Sequence, residues 1–201
     1  MIAIIDYGMG NLRSVSKALE KLGSEVIVTS DPQAIRAADK IVLPGVGAFG
    51  DAMCELRKRN LIKPIKEHAE HAKPFLGICL GLQLLFKTSE ENPGIPGLGI
   101  FEGKVVKFQD PKLKIPHMGW NEVKFLKLDS GPSAGVKNGS YFYFVHSYFA
   151  EPADTASVIG TSNYGIDFAA VIEKRNIWAA QFHPEKSQEE GLKILANFVK
   201  L

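Results

Sequence analysis

The residues of this sequence best placed to do chemistry surround Cys79. Residues 77–81 read Gly-Ile-Cys-Leu-Gly, between an apolar segment at 75–78 and a segment of helical character that begins near residue 82. A glycine on each side of a nucleophile permits the tight strand-to-helix turn that presents its side chain above a sheet. A helix N-terminus favours the thiolate form, and the N–H of Leu80 would face a developing oxyanion. The alternative is a buried structural cysteine on a glycine-flanked turn.

A nucleophilic cysteine needs a base, and the base needs a third group that orients it. Among the five histidines, His183 is the best candidate, because Pro184 disfavours helix and keeps it extended. Residues two apart in an extended chain face the same side, so Glu185 can hold one ring nitrogen and leave the other for Cys79. The alternative is a histidine at a strand end beside a surface acid.

Two further histidines, His68 and His71, lie three residues apart in a segment rich in lysine and glutamate. That spacing could bind a metal, but no further ligands lie nearby and closed zinc sites need about four. We therefore expect a solvated helix face. Cys54 lies within another helical segment without flanking glycines, and we interpret it as structural.

Residues 45–50 read Gly-Val-Gly-Ala-Phe-Gly between a strand and a helix. They match the dinucleotide fingerprint letter for letter, but the acid expected about 20 residues later at a strand end falls in a helical segment, 65–68. We interpret the segment as a mobile loop whose backbone N–H groups serve the oxyanion. Gly47 would let the substrate approach closely.

Alternating strands and helices must position these groups in the first half of the chain. Apolar strands separated by helices predict a parallel sheet that is covered on both faces. The predicted strands are Ile2–Ile5 and residues 25–29, 40–43 and 75–78, and the predicted helices are residues 11–22, 51–59, 62–71 and 82–86, with another helix starting at Pro32.

The second half of the chain has a different pattern and predicts antiparallel strands. Strands are predicted at residues 104–108, 120–125 and 141–148, a hairpin at 169–173 and 177–182, and a closing helix at 188–200. We see no repeat and no linker. Residues 1–201 are therefore predicted to form one α/β domain, with a central, mixed, mostly parallel sheet flanked by helices and a small antiparallel extension.

Composition narrows the classes of function. The chain has 201 residues, of which 45% are hydrophobic, enough for a core in one domain. Lysine and arginine number 24 against 22 acids, so we expect no nucleic acid and no anionic membrane as a partner. No apolar run approaches the ~18 residues of a spanning helix. The start of the chain has no basic leader, and Cys54 and Cys79 need no bridge, so we expect a cytosolic protein with reduced cysteines.

Three motifs, in this order, resemble those of class I, triad-type glutamine amidotransferases: residues 44–47 (PGVG), 77–83 (GICLGLQ) and 183–185 (HPE). Two more, residues 6–12 (DYGMGNL) and 116–121 (PHMGWN), are similar to the glutaminase subunits of imidazole glycerol phosphate synthases. The resemblance spans nearly the whole chain. It implies a flavodoxin-like, single-domain amidotransferase fold.

The resemblance also implies a reaction and a partner. Cys79 would attack the side-chain amide of L-glutamine to give a thioester and ammonia. His183 would act as general base and acid, held by Glu185. Ammonia would cross to a barrel-shaped cyclase subunit of a heterodimer that serves histidine biosynthesis. We expect neither a metal nor a cofactor.

Further residues are assigned to the glutamine site. The N–H groups of Val46 and Leu80 would stabilise the oxyanion. Gln83 lies four residues after Cys79, on the same helix face, and could reach the substrate. Gly47 is assigned because it would let the substrate approach closely. The resemblance adds the strand that carries the residues His146, Ser147 and Tyr148. From its composition alone, the aromatic segment 141–148 predicts a core edge.

The resemblance places Asn11, Met118, Trp120 and Lys186 near the partner. Exposed methionine and tryptophan are typical interface anchors. The alternative for Trp120 is a place in the core.

Three other functions compete with this interpretation. The nearest is the glutaminase component of another pathway, such as anthranilate or nucleotide synthesis, which would lack the segment at 117–121 as it stands here. The second is a cysteine hydrolase of the same topology, which would have no use for Gln83. The third is a catalytically silent regulatory module, which has no reason to keep Cys79, His183 and Glu185 together.

Overall fold

The computed structural model describes residues 1–128 and 131–201, and it contains twelve strands and six α-helices in those residues. The strands are β1 Ile2–Ile5, β2 Val26–Thr29, β3 Lys40–Gly45, β4 Phe75–Cys79, β5 Thr88–Ser89, β6 Gly103–Lys107, β7 His117–Phe125, β8 Ser140–His146, β9 Tyr148–Pro152, β10 Val158–Tyr164, β11 Ile166–Lys174 and β12 Ile177–Ala180. The helices are α1 Leu12–Lys21, α2 Pro32–Ala37, α3 Phe49–Lys58, α4 Ile62–Glu70, α5 Leu80–Leu84 and α6 Gln188–Lys200.

Nine strands form one sheet in the order β2-β1-β3-β4-β12-β11-β10-β7-β8. The first five run parallel, and the register sets Gly45 of β3 opposite Cys79 of β4 and Ala180 of β12 opposite Ile78. The last four strands pair antiparallel. The ends of β3, β4 and β12 therefore meet at one edge of the sheet, as parallel strands require for a shared site.

A second sheet has three strands in the order β5-β6-β9. Strand β8 of the large sheet ends at His146, and β9 begins at Tyr148. The chain thus crosses from one sheet to the other at Ser147. This crossing places residues of both sheets beside the end of β4.

Helices cover both faces of the large sheet, and successive side chains of its buried strands point into two separate cores. Ile2 and Ile4 point toward α1 and α6, whereas Ala3 and Ile5 point toward α2, α3 and α4. All four residues of β1 are buried. This is the arrangement expected when a parallel sheet has helices on both sides.

Local sequence accounts for several helix boundaries. Asp31 caps α2 by accepting a hydrogen bond from the N–H of Gln33 at 2.9 Å, and Pro32 takes the first helical position. Gly23 follows the end of α1 at a φ of 83°, the left-handed conformation that glycine adopts without a steric penalty. Helix α2 starts at the predicted residue, and α1 starts one residue later than predicted.

The predicted α/β fold with a mixed sheet between helices is confirmed, but several element predictions were wrong. The predicted strand 141–148 is two strands, broken at Ser147. Strand β7 begins at His117 rather than at residue 120, and α5 begins at Leu80 rather than at residue 82. Strands β5 and β10 were not predicted, because β5 has two residues and β10 reads Val-Ile-Gly-Thr-Ser-Asn-Tyr, with too few apolar residues to signal a strand.

Within the part of the chain that the structure describes, no helix is both long enough and apolar enough to cross a membrane.

Candidate active site

Cys79 is the last residue of β4, and the chain turns there directly into α5. Its backbone has φ 54° and ψ −110°, a conformation that costs a non-glycine residue roughly 1–3 kcal/mol and that is typical of functional sites. A Cβ at Gly81 would overlap the carbonyl oxygen of Leu43, and one at Gly77 would lie 3.0 Å from Ala179. The two glycines flanking the cysteine are therefore required by close packing, as the sequence predicts.

Two groups outside the predicted triad contact the sulfur of Cys79. Sγ of Cys79 lies 3.8 Å from the carbonyl oxygen of Val145, and Nε2 of Gln181 donates to Sγ at 3.7 Å. Gln181 is fully buried. Sequence analysis did not assign it, although it lies two residues before His183 at a strand end and would be expected to share its side of the strand.

His183 and Glu185 form the pair that the sequence predicts. Nδ1 of His183 lies 2.9 Å from Oε1 of Glu185, and the two side chains are 3% and 1% exposed. The route to this contact was predicted wrongly. His183 is extended, but Pro184–Lys186 form a 3-10 turn, so the turn rather than extended chain brings Glu185 back to the ring.

The backbone of His183 is fixed on both sides. Its N–H donates to the carbonyl of Tyr143 at 2.9 Å, and its carbonyl accepts from Oγ of Ser187 at 2.6 Å. The same Ser187 hydroxyl accepts from the N–H of Tyr143 at 3.0 Å. These bonds tie the histidine to β8.

The charge state of His183 depends on its neighbours. Burial lowers its pKa, but the negative charge and hydrogen-bonding influence of Cys79, and then those of Glu185, outweigh burial and raise the pKa to about 10. Nε2 of His183 is buried and has no hydrogen-bond partner among the described residues. The ring is thus held by Glu185 at one nitrogen, and the influence of Cys79 on the histidine pKa places the sulfur near the ring.

A cavity of about 300 Å³ opens beside the thiol. It brings together eight residues that the sequence places at the site: Val46, Gly47, Cys79, Leu80, Gln83, His146, Ser147 and Tyr148. Three lining residues were not predicted: Glu91, Pro116 and Val145. Glu91 follows a two-residue strand in a loop, where no sequence pattern marks it.

The predicted oxyanion loop lies at the end of β3, beside Cys79. The buried hydroxyl of Tyr7 donates to the carbonyl of Pro44 at 2.8 Å and so fixes the start of the loop. On the far side, Glu91 accepts from the N–H of Phe49 at 2.7 Å. Between these anchors Val46 is 40% exposed. The roles of Val46 and Leu80 as oxyanion donors stay predictions.

Gln83 and His146 line the cavity, yet their side-chain nitrogens are already hydrogen-bonded within the protein. Nε2 of Gln83 donates to the carbonyl of Tyr148 at 2.8 Å and to Oε1 of Gln181 at 3.0 Å. Both ring nitrogens of His146 are likewise hydrogen-bonded, one to Tyr148 and one to His117. A direct hydrogen bond from either nitrogen of His146 to a substrate would have to displace one of these partners.

The residues predicted to face a partner are exposed in part. Met118 is 63% and Trp120 46% exposed, so Trp120 is not a core residue. The Trp120 and Tyr143 rings lie 6.3 Å apart, and Nζ of Lys186 lies 5.6 Å from the centre of the Tyr143 ring. Asn11 precedes α1, which packs on the 3-10 turn that ends at Lys186.

Two structural interpretations of the sequence need correction. His68 is 3% exposed, and its Nε2 lies 3.3 Å from the carbonyl oxygen of Pro74. Of the two histidines predicted on a solvated helix face, only His71 is exposed. Cys54 was interpreted as structural but is an exposed, unpaired thiol on α3. The described residues contain no group of three or more His, Cys, Asp or Glu side chains arranged to hold a metal ion.

Comparisons with known proteins agree with this geometry. The profile of the family described as glutamine amidotransferase class-I matches residues 3–201. A protein of Methanocaldococcus jannaschii named imidazole glycerol phosphate synthase subunit HisH is 54% identical, and the match covers 100% of both chains. A protein of Rhodopirellula baltica with the same name is 53% identical over 98% of this chain and 96% of its own.

Solved structures share the fold at low sequence identity. One described as a glutamine amidotransferase has a TM-score of 0.77 at 17% identity, with full coverage of both chains. A chain of PurLQS from Thermotoga maritima has a TM-score of 0.75 at 19% identity and covers 99% of this chain and 97% of its own.

Proposed function

Since the chain belongs to the class I glutamine amidotransferase family, we propose that it is the glutaminase subunit of an imidazole glycerol phosphate synthase. The proposal treats residues 1–201 as one amidotransferase domain. It is supported by relatives of that name that are more than 50% identical over nearly the full chain. The observation that carries the chemistry is that Cys79 lines a cavity of amino-acid size and raises the pKa of His183, which Glu185 holds at Nδ1.

The first half of the reaction makes ammonia. The Cys79 thiolate attacks the side-chain carbonyl carbon of L-glutamine and forms a C–S bond. The tetrahedral intermediate then breaks its C–N bond, and His183 gives its proton to the leaving nitrogen. The products are a glutamyl thioester and ammonia. A pKa of about 10 for His183 keeps its proton available at neutral pH.

The second half restores the enzyme. Neutral His183 takes a proton from water as that water attacks the thioester carbonyl. The C–S bond breaks, glutamate leaves, and the thiolate and imidazolium form again. Glu185 keeps the ring oriented in both halves and stabilises the imidazolium.

The oxyanion of each tetrahedral intermediate requires N–H donors. Leu80 follows Cys79 at the start of α5, and Val46 lies in the loop after Gly45, which pairs with Cys79. Removing one such donor typically costs a few kcal/mol of transition-state stabilisation, about 10²–10³ in rate. Tyr7 and Glu91 fix the two ends of the loop that carries Val46.

The rest of the cavity suits an amino-acid substrate. Glu91 supplies a carboxylate for the α-ammonium group, and the corner at Ser147 and Tyr148 supplies backbone groups. Gly47 lines the cavity at a φ of 94°, a left-handed conformation that suits glycine, and a Cβ there would lie 2.8 Å from Cε of Met9. His146 and Gln83 shape the wall through the carbonyl of Tyr148.

Ammonia is used by a second subunit. We assign that role to a cyclase with which this chain forms a heterodimer in histidine biosynthesis, because the relatives are named as subunits of such a synthase. The two unpaired cysteines fit a reducing compartment, and we place the complex in the cytoplasm. Met118 and Trp120 form an exposed apolar pair on β7 that suits the docking face.

One assay tests the reaction and the partner together. Glutamate release from glutamine is measured for the chain alone and with a cyclase subunit and its nucleotide ligand. Strong activation in the mixture, lost in Cys79→Ala and kept in Cys54→Ser, is expected. Activity without a response to the cyclase would contradict the assigned pathway and favour another glutaminase, and no activity in any mixture would contradict the enzyme itself.

A second experiment tests the docking face. Trp120→Ala should weaken binding to the cyclase subunit by at least about fivefold, since truncated interface anchors typically cost more than about 1 kcal/mol. Leu126→Ala is the matched control, because Leu126 is 68% exposed and lies just past the end of β7. Equal affinities for Trp120→Ala and the unaltered chain would remove Trp120 from the interface.

A further inference from the structure

A continuous chain of hydrogen bonds runs through the β7–β8 hairpin to the wall of the glutamine cavity. Nδ2 of Asn121 lies 3.2 Å from Nε2 of His117, and Nδ1 of His117 lies 2.9 Å from Nε2 of His146. Nδ1 of His146 lies 2.9 Å from the carbonyl oxygen of Tyr148. His117 and His146 are directly opposite in the register of the two strands.

The donors and acceptors at its two ends allow only one direction of donation along this series of hydrogen bonds. A carbonyl oxygen only accepts, so the hydrogen of His146 lies on Nδ1 and its Nε2 accepts from His117. His117 then carries its hydrogen on Nδ1, and its Nε2 accepts from the amide nitrogen of Asn121, which only donates. Two other bonds fix the orientation of that amide: Nδ2 donates to the carbonyl of Asn163 at 2.8 Å, and Oδ1 accepts from the N–H of Glu122 at 2.8 Å.

The surroundings keep both rings neutral. His117 stacks between Phe144 and Tyr164, with ring centres 5.0 and 4.1 Å away. Burial lowers the pKa of His117 to about 4, and burial, helped by His117 and His183, lowers that of His146 to about 3. The direction of the chain therefore persists at neutral pH.

The series of hydrogen bonds ends at Tyr148, where the backbone crosses from the large sheet to the small one. The carbonyl of Tyr148 accepts from His146 and from Gln83, and the carbonyl of Ser147 accepts from the N–H of Phe108 at 3.3 Å. These bonds hold the corner of the cavity that Ser147 and Tyr148 line. The mechanism above assigns neither His117 nor Asn121 any part.

We propose that His117 and Asn121 are positioning residues for glutamine: they fix the ring of His146, and through it the Tyr148 carbonyl and the cavity wall at Ser147. This inference rests on the proposed glutaminase function. It assigns the two residues to substrate binding rather than to the thiol chemistry.

The hydrogen positions can be measured directly. In the full chain labelled with ¹⁵N-histidine, long-range ¹H–¹⁵N spectra at neutral pH should show hydrogen on Nδ1 and a bare Nε2 for both His117 and His146. In Asn121→Asp a carboxylate faces Nε2 of His117, which should then become protonated. Hydrogen on Nε2 of either ring in the unaltered chain would overturn the proposal, whether or not the chain is a glutaminase.

Kinetics of the complex with the cyclase subunit test the role in binding. His117→Phe keeps an aromatic ring between Phe144 and Tyr164 but leaves Nε2 of His146 without a donor. One unpaired buried polar atom should raise KM for glutamine by about tenfold, with kcat changed less than threefold. His68→Phe, which removes a buried histidine elsewhere, is the control and should leave KM unchanged.

The outcomes separate the inference from the function on which it rests. Alkylation of Cys79 by iodoacetamide, in a Cys54→Ser background, should proceed at the same rate with and without His117→Phe. Unchanged KM in an active His117→Phe complex, or an equal loss of kcat and alkylation, would overturn the positioning role. Absence of glutaminase activity in the unaltered complex would instead overturn the proposed function, and the NMR result would still decide the hydrogen positions.

Discussion

Glu185→Gln removes one negative charge from the triad while keeping the size of the side chain. Both partners of the His183–Glu185 contact are almost fully buried, at 3% and 1% exposure, so solvent does not screen the charge. A hydrogen bond to a charged group contributes about 1.5–3 kcal/mol, and one pKa unit corresponds to about 1.4 kcal/mol. The pKa of His183, about 10 in the native protein, should therefore fall by about one to two units in the variant.

The sign of this change is visible in the pH profile of glutamate release. In the proposed mechanism His183 must be protonated to release ammonia, so activity is expected to fall as pH rises through the pKa of His183. The alkaline limb of kcat/KM should accordingly move to lower pH by about one to two units in Glu185→Gln. ¹⁵N NMR of His183 follows the same titration without turnover.

A second variant tests whether Cys79 or Glu185 contributes more to the raised pKa of His183. The influences of Cys79 on His183 rank above those of Glu185, so Cys79→Ala should lower the histidine pKa further than Glu185→Gln does. The account is refuted if Glu185→Gln leaves the His183 titration in place, or if it shifts that titration more than Cys79→Ala.

Three further changes have expected outcomes. Gly81→Ala drives a methyl group into the carbonyl of Leu43 and should destabilise the fold by about 3 kcal/mol or more, read from urea midpoints; an unchanged midpoint would show that the turn can relax. Cys54→Ser on the exposed face of α3 should change stability by less than about 0.5 kcal/mol and remove the rapid alkylation of the native chain without affecting glutamate release. Burial lowers the pKa of His68 in the folded chain to about 4. As pH falls below about 6.5, the unfolded chain therefore binds a proton at His68 before the folded chain does. The free energy of unfolding accordingly decreases between about pH 6.5 and pH 4. His68→Gln should reduce the loss between pH 6.5 and 5 by about 2 kcal/mol, and an identical loss in both proteins would contradict the assignment.

The tight turn at Cys79, the proposed nucleophile, could be predicted from sequence because its requirements are local. A glycine at 77 and another at 81 are needed where Leu43 and Ala179 approach the turn, and these glycines are visible as letters. His183 and Glu185, the proposed base and its orienting acid, are also close in sequence, so their contact could be predicted without knowledge of the fold. The 3-10 turn between them could not be read, because Pro184 is compatible with both extended chain and a tight turn.

The cavity wall was predicted less completely because it depends on contacts across sheets. Gln181 reaches Cys79 from 102 residues away in sequence, and Glu91 reaches Phe49 from 42 residues away. The break at Ser147 had no signal, since the aromatic alternation of β8 continues into β9. Burial of His68 was missed because the charged residues around it suggested a solvated face.

The two faces of β7 carry separate tasks on alternate residues. Met118 and Trp120 lie exposed on one face, and His117 and Asn121 join the buried chain on the other. Because the side-chain period of a strand is two, a slip of one residue would exchange the two sets. A one-residue insertion within β7 would therefore have to be absorbed by a β-bulge if both sets are to keep their faces. A designer who moves this hairpin to another scaffold must transfer its register as well as its side chains.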